Sequence, residues 1–137
     1  PLEKVLEIGT GSGFQATILA QLVDRVYSVE RIEPLLIKAK DRFRKLGLRN
    51  ITAELSDGSF GWQRHAPYNG IITTAAPQAV PDELLHQLAP NGILVIPVGA
   101  GDVQDLRVLR RVGDSSEFEE EIVEQVKFVP LLGGLSR

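Results

Sequence analysis

Apolar residues fall along this chain in two alternating periods. Val5-Leu6-Glu7-Ile8 is a short run of buried type that stops abruptly at Gly9. Apolar character on both faces is what a strand covered on both sides requires. The period then changes: Phe14, Ile18, Leu19 and Leu22 recur at helical spacing and predict a helix over 14–22, with that stripe turned to the core. Val26-Tyr27-Ser28-Val29 predicts a second strand, ending on Glu30. Glu33-Pro34 then opens a long helix, since proline in a first turn lacks only an amide hydrogen that has no helical partner there. Its stripe is Leu36, Ala39, Phe43 and Leu46, and Gly47 is placed to end it.

Ile51 to Leu55 reads as a third strand and Tyr68 to Thr74 as a fourth. Pro81 starts a short helix carrying Leu84, Leu85 and Leu88, and Pro90-Asn91-Gly92 reads as a turn before a fifth strand, Ile93 to Ile96. The order β-α-β-α-β-β-α-β, with buried strands and amphipathic helices, specifies an open α/β sheet. The tail differs. Gln104 to Arg111 and Ile122 to Val129 mix charge with branched residues across Gly113-Asp114-Ser115-Ser116, and predict an antiparallel pair at the sheet edge. The run Glu117, Glu119, Glu120, Glu121 reads as a solvated stretch joining them. One domain over residues 1–137 is expected.

Chemistry concentrates after the first strand. Gly9, Gly11 and Gly13 form G-x-G-x-G between that strand and the first helix, and Glu30 ends the next strand. A glycine turn lets backbone approach a ligand closely at a helix N-terminus, and an acidic side chain from the second strand reaches a pair of ribose hydroxyls. These features describe a nucleoside pocket. The dinucleotide pattern G-x-G-x-x-G needs a third glycine where Phe14 stands, and no G-x-x-x-x-G-K-[ST] loop is present. Glu7, two residues before the first glycine, would oppose a pyrophosphate but suits a cofactor with a cationic tail. S-adenosylmethionine has that character; NAD, FAD and an ordinary βαβ turn remain as alternatives on these residues alone.

Composition narrows the classes. With 15 Lys plus Arg against 18 Asp plus Glu, the net charge of −3 and the lack of a basic stripe argue against a nucleic-acid partner. There is no cysteine, and the two histidines, His65 and His86, are separated, so no disulfide, thiol chemistry or Cys/His metal site is expected. No apolar run reaches the ~18 residues of a membrane span, and the expectation is a cytoplasmic, soluble chain without a membrane partner. Ser59 lacks the G-x-S-x-G elbow of a hydrolase. Trp62 reads as a plug anchoring its loop, His65 and His86 as loop or surface residues, and Arg31 as either a carboxylate ligand or a surface charge.

Longer stretches carry a resemblance. Glu7-Ile8-Gly9-Thr10-Gly11-Ser12-Gly13-Phe14-Gln15-Ala16, Ser28-Val29-Glu30-Arg31, Ala66-Pro67-Tyr68, Thr74-Ala75-Ala76-Pro77, Leu94-Val95-Ile96-Pro97-Val98-Gly99 and Lys127-Phe128-Val129-Pro130-Leu131-Leu132-Gly133 resemble the protein-L-isoaspartate O-methyltransferase family. The resemblance implies a Rossmann-like methyltransferase fold: an open, doubly wound, mostly parallel sheet with antiparallel C-terminal edge strands. It implies transfer of a methyl group from S-adenosylmethionine to the carboxylate of L-isoaspartyl residues in damaged peptides and proteins. It also implies a cofactor set: Glu7 near the methionine end, Gly9 and Gly11 at the close backbone approach, Glu30 on the ribose, Asp57 and Gly58 by the adenine, and Thr74 near the reacting centre. No catalytic residue is assigned.

Two departures bear on those expectations. The family's Gly-Asp-Gly is Ser56-Asp57-Gly58 here, and its long N-terminal segment, which includes a serine-bearing loop closing over cofactor and substrate, has no counterpart before Lys4. The expectation is therefore an N-terminally incomplete cofactor-binding core with impaired turnover, monomeric or weakly dimeric. The alternatives are another methyltransferase of the same class and a cofactor-binding or interaction module without turnover.

Overall fold

The computed structural model describes residues 3–58, 61–132, 134 and 135. The elements are β1 (Lys4–Ile8), α1 (Phe14–Ala20), β2 (Arg25–Glu30), α2 (Glu33–Lys45), β3 (Ile51–Leu55), β4 (Tyr68–Thr73), α3 (Asp82–His86), β5 (Leu88–Val98), β6 (Gln104–Arg111) and β7 (Phe118–Val126). They build a seven-stranded sheet in the order β3-β2-β1-β4-β5-β6-β7. The pairings from β3 through β5 are parallel, while β5 with β6 and β6 with β7 are antiparallel. The chain steps outward from β1 to β2 and β3, then crosses back to place β4 on the other side of β1. That reversal leaves a crevice at the carboxyl ends of β1, β2 and β4, where open α/β sheets bind ligands.

Strand alternation divides the core in two. Leu6 and Ile8 face one cluster with Val29, Tyr68, Ile71, Leu84, Leu94 and Ile96. Val5 and Val26 face another, closed by Ala16 and Ala20 of α1 and by Ala39 and Phe43 of α2. Both sheet faces are thus covered, which is why the parallel strands read as continuous apolar runs.

Helix α1 departs from the sequence expectation. Phe14, Ile18 and Leu22 are 65%, 45% and 72% exposed, and Ala16 and Ala20 face inward. The cause is the tight fit between α1 and α2: at Gly13, just before α1, a Cβ would stand 2.8 Å from Phe43. Small residues therefore take most of the inward side; of the predicted stripe Leu19 packs half-buried on this cluster, and Phe14, Ile18 and Leu22 are left outside. On α2, Leu36, Ala39 and Phe43 are buried as expected, but Leu46 is exposed. The helix has closed one residue earlier. Gly47 at φ 70° donates to Arg44, and the Leu48 amide donates to the Phe43 carbonyl, forming a Schellman stop that turns Leu48 inward instead.

Three boundaries also differ. Leu88 starts β5 rather than ending a helix, and Pro90-Asn91-Gly92 lies inside that strand. Asn91 takes φ 60°, and the register against β4 shifts between Tyr68 and Gly70, so the turn signal is expressed as a bulge. β7 begins at Phe118, which packs on the core, and the acidic residues 119–121 are part of the strand. There Glu119 and Glu120 stand opposite Arg110 and Leu109, and Glu120 pairs with Arg107 at 2.7 Å. Among the described residues no helix is long and apolar enough to cross a membrane.

Burial separates two substitutions of the same kind. Leu94→Ala, at a fully buried position, is expected to cost about 3 kcal/mol of unfolding free energy. Ile122→Ala, on the exposed edge strand, should stay within about 0.5 kcal/mol of the parent. Urea midpoints at constant m-value measure both, and an equal loss at the two positions would contradict this assignment of the core.

Candidate functional site

At the crevice lies a cavity of about 380 Å³. Its lining includes Gly9, Gly11, Glu30, Gly58 and Thr74, five of the seven residues expected from the sequence. The backbone explains how they meet. Both Gly9 and Thr10 donate their amides to the Val29 carbonyl, at 2.8 and 3.2 Å, which folds the turn after β1 onto the end of β2. Gly9 has φ 98°, and a Cβ there would overlap the Thr74 hydroxyl, so only glycine fits. Thr74 in turn hydrogen-bonds through its hydroxyl to the carbonyls of Ile8 and Gly9, both at 3.1 Å. A Cβ on Gly58 would likewise run into Ile8.

Glu30 closes the arrangement. Its Oε1 accepts from the Gly11 amide at 2.8 Å and its Oε2 from the Ile32 amide at 3.0 Å. A carboxylate has about four acceptor sites, so each oxygen keeps capacity for one further donor. A vicinal pair of hydroxyls matches that capacity.

Glu7 and Asp57 stand apart from the lining. Glu7 points to the α1 side and is fully buried beneath the glycine turn. Ser28, its register partner on β2, donates to Oε1 at 2.6 Å, and Gln15 donates to Oε2 at 2.9 Å. With its proton committed to Glu7, the Ser28 hydroxyl accepts from that of Thr10 at 2.6 Å. Burial pushes the Glu7 carboxyl up to about 7, against the opposing effect of the Ser28 and Gln15 hydrogen bonds; the Glu30 charge adds to the rise. Asp57, half-buried beside the cavity, accepts from the Gly134 amide at 3.0 Å.

Further parts of the wall lie outside that set of seven. Ile32 and Leu35 contribute apolar surface from the start of α2, and their signal was apolar character outside the helix stripe. The segment Val129–Leu132 forms the opposite wall. It is held against the strand end by bonds from the Ala76 amide to the Val129 carbonyl and from the Leu131 amide to the Ala76 carbonyl, at 2.8 and 2.9 Å. Arg31 also lines the cavity and donates through Nε to the Gly134 carbonyl at 3.1 Å. Trp62 packs against the core and its carbonyl accepts the Tyr68 hydroxyl, a plug as expected. His65 stacks on Tyr27 with ring centroids 4.4 Å apart, and His86 is exposed on α3. Ser59 lies outside the described residues. Among those residues no group of His, Cys, Asp and Glu could hold a metal ion.

The strand order, the glycine turn and the acidic residue ending β2 define a Rossmann-like methyltransferase core. A family model described as protein-L-isoaspartate(D-aspartate) O-methyltransferase matches residues 1–136, and the chain belongs to that family. Protein-L-isoaspartate O-methyltransferase of Cellvibrio japonicus is 57% identical over 136 residues, covering 99% of this chain and 61% of its own length. The enzyme of that name from Pseudomonas aeruginosa is 57% identical over 134 residues, covering 98% and 63%. The chain thus spans less than two thirds of these relatives. Among solved structures, a protein-L-isoaspartate O-methyltransferase superposes with TM-score 0.87 at 25% identity, over 98% of this chain and 43% of that one. A putative enzyme of the same type from Plasmodium falciparum, in complex with S-adenosyl-L-homocysteine, superposes at TM-score 0.75 and 18% identity, over 95% and 66%, a likeness of fold.

The buried Glu7 has a consequence in pH. Its carboxyl titrates near 7 in the folded chain and near 4.5 when exposed, so the native state holds more protons between those values. Unfolding free energy therefore falls as pH rises from about 4.5 through 7, by on the order of 3 kcal/mol from this group. Comparison with Glu7→Gln isolates the effect. The parent should lose stability relative to the variant across that window, and parallel pH profiles of the two would refute it.

Proposed function

We propose that this chain binds S-adenosylmethionine in the cavity at the carboxyl ends of β1, β2 and β4. We further propose that the protein methylates the carboxylate of L-isoaspartyl residues in peptides and proteins. The observation that carries the cofactor half is the Glu30 carboxylate, which faces the cavity with one acceptor site left on each oxygen. Two ribose hydroxyls donating to that carboxylate form charge-assisted hydrogen bonds. Gly9 and Gly11 present bare backbone to the ligand, and Gly58, packed on Ile8 too closely for a side chain, lines the same cavity where an adenine ring would lie. Asp57 stands beside Gly58 and can accept from an exocyclic amine. Glu7 has no cationic partner among the described residues, and beneath the turn it lends negative potential to the side where a cationic tail would lie. Family membership supports both the cofactor and the isoaspartyl substrate.

When bound, the cofactor supplies an electrophilic methyl group on a positively charged sulfur. The chain's own contribution is positioning and exclusion of water. Ile8, Val29, Leu131 and Leu132 give the cavity an apolar wall, which strips water from an incoming carboxylate and holds it in line. A carboxylate is already ionised near neutral pH, so no general base is required, and none of the lining residues is assigned that role. Thr74, whose hydroxyl is committed to the carbonyls of Ile8 and Gly9, shapes the turn at the place where the transfer would occur.

Calorimetric titration tests the cofactor half. S-adenosylhomocysteine should bind saturably at one site and NADH should not. Glu30→Ala should weaken the nucleoside at least ~10-fold, from the loss of two charge-assisted hydrogen bonds. Binding of NADH in its place, or unchanged affinity in Glu30→Ala, would sink this reading. The substrate half is read by transfer of labelled methyl to an isoaspartyl peptide over its aspartyl counterpart; equal labelling of the two contradicts it.

A further inference from the structure

A second recess lies away from the cofactor cavity, at the free edge of the sheet. β3 ends the strand order, so among the described residues it has a strand neighbour on one side only. The Asn50 carbonyl accepts from the Val26 amide and the Ser56 amide donates to the Glu30 carbonyl, each at 2.9 Å. In a parallel ladder this sets the backbone groups of even-numbered residues toward β2, and those of Ile51, Ala53 and Leu55 outward. An edge of this kind is a template for another extended segment.

The second half of α2 walls this edge, leaving a groove of about 590 Å³ between helix and strand. Its apolar floor includes Phe43, Leu48 and Ile51, and its rim carries Lys40, Arg44 and Arg49. No carboxylate lines it among the described residues. Asp41 pairs with Arg44 at 2.7 Å and Lys45 at 2.9 Å, whereas Lys40 and Arg49 make no ion pair among the described residues. The carbonyls at the end of α2, which would otherwise oppose an anion, are partly spent in the bonds from Gly47 and Leu48. Glu54 alternates to the sheet face opposite Ile51 and Ala53. A chain of net charge −3 thus concentrates unpaired positive charge beside an open strand.

We propose that this groove docks an extended acidic peptide segment, which adds to β3 as a further strand. Its backbone meets the outward groups of Ile51, Ala53 and Leu55. Carboxylates on its α2-facing positions reach Lys40 and Arg49, and their methylene stems cover the apolar floor. The exposed strand edge favours a peptide over a phosphate or nucleic acid, because only a peptide offers the matching row of amides and carbonyls. The inference is independent of the cofactor site.

The probe is a capped, fluorescent peptide of about eight residues alternating glutamate and threonine, titrated into this chain by anisotropy and by amide NMR. Saturable binding is expected, with shifts at Ile51, Ala53 and Leu55. The double variant Lys40→Glu, Arg49→Glu, exposed on the rim, should keep its melting temperature, bind the probe at least ~10-fold more weakly, and favour a lysine–threonine peptide. N-methylation of alternate probe amides should abolish binding to the parent. No saturation up to millimolar probe, shifts confined to other elements, or unchanged affinity in the double variant would overturn the proposal. Equally tight binding of a single-stranded oligonucleotide of the same charge would also overturn it, by making the groove a general polyanion site.

Discussion

The site depends on one carboxylate spread across two backbone amides. Glu30 ends β2, and its two oxygens take the Gly11 amide from the turn after β1 and the Ile32 amide from the turn before α2. Adjacent parallel strands end in loops that have no ladder to hold them, and this bridge supplies the missing restraint. The Val29 carbonyl reinforces it by accepting from Gly9 and Thr10. Once the glycine turn is pinned to the end of β2, Gly9 is pressed against Thr74 beyond β4, and the crevice acquires its third side. The same group that organises the loops keeps acceptor capacity toward the cavity, so structural restraint and ligand recognition reside in a single side chain.

Glu7 shows the opposite solution for a carboxylate two strand positions from the same turn. It is enclosed, with hydroxyl and amide donors but no cation among the described residues, and burial raises its proton affinity. The hydrogen-bonded row from Gln15 through Glu7 and Ser28 to Thr10 ties the start of α1, β1, β2 and the turn together. A polar row inside a core specifies geometry only when every member is satisfied, and here each member has its partner. Two acids close in space therefore divide the work: one is fully enclosed, and the other faces the ligand cavity.

Much of this was legible in the chain itself. β3 spans the expected residues, the parallel core and the antiparallel edge pair follow the pattern of apolar and charged positions, and the glycine turn with Glu30 marks the crevice. What failed did so for identifiable reasons. Hydrophobic periodicity places the bulky stripe of α1 on its inner face, but close packing on Phe43 and Ala39 favours Gly13, Ala16 and Ala20 there, with Leu19 alone of the stripe half-buried beside them. Turn chemistry at Pro90-Asn91-Gly92 predicts a turn ahead of the fifth strand, whereas pairing of Leu88 with Tyr68 takes those residues into β5 as an irregularity in its register. Glu7 is expected near the cationic end of the ligand, but spacing from the first glycine does not reveal which strand face its side chain takes, and the structure sets it beneath the turn rather than in the cavity lining. The apolar wall from Val129 to Leu132 is distant in sequence from the turn it faces, and only the bonds to Ala76 bring it there.

A crystal structure of this chain with S-adenosylhomocysteine tests the assignment of the crevice most directly. Ribose hydroxyls within hydrogen-bonding distance of both Glu30 oxygens, with the adenine beside Gly58, are the expected result. A nucleoside seated elsewhere, or one that leaves the Glu30 carboxylate untouched, would contradict it.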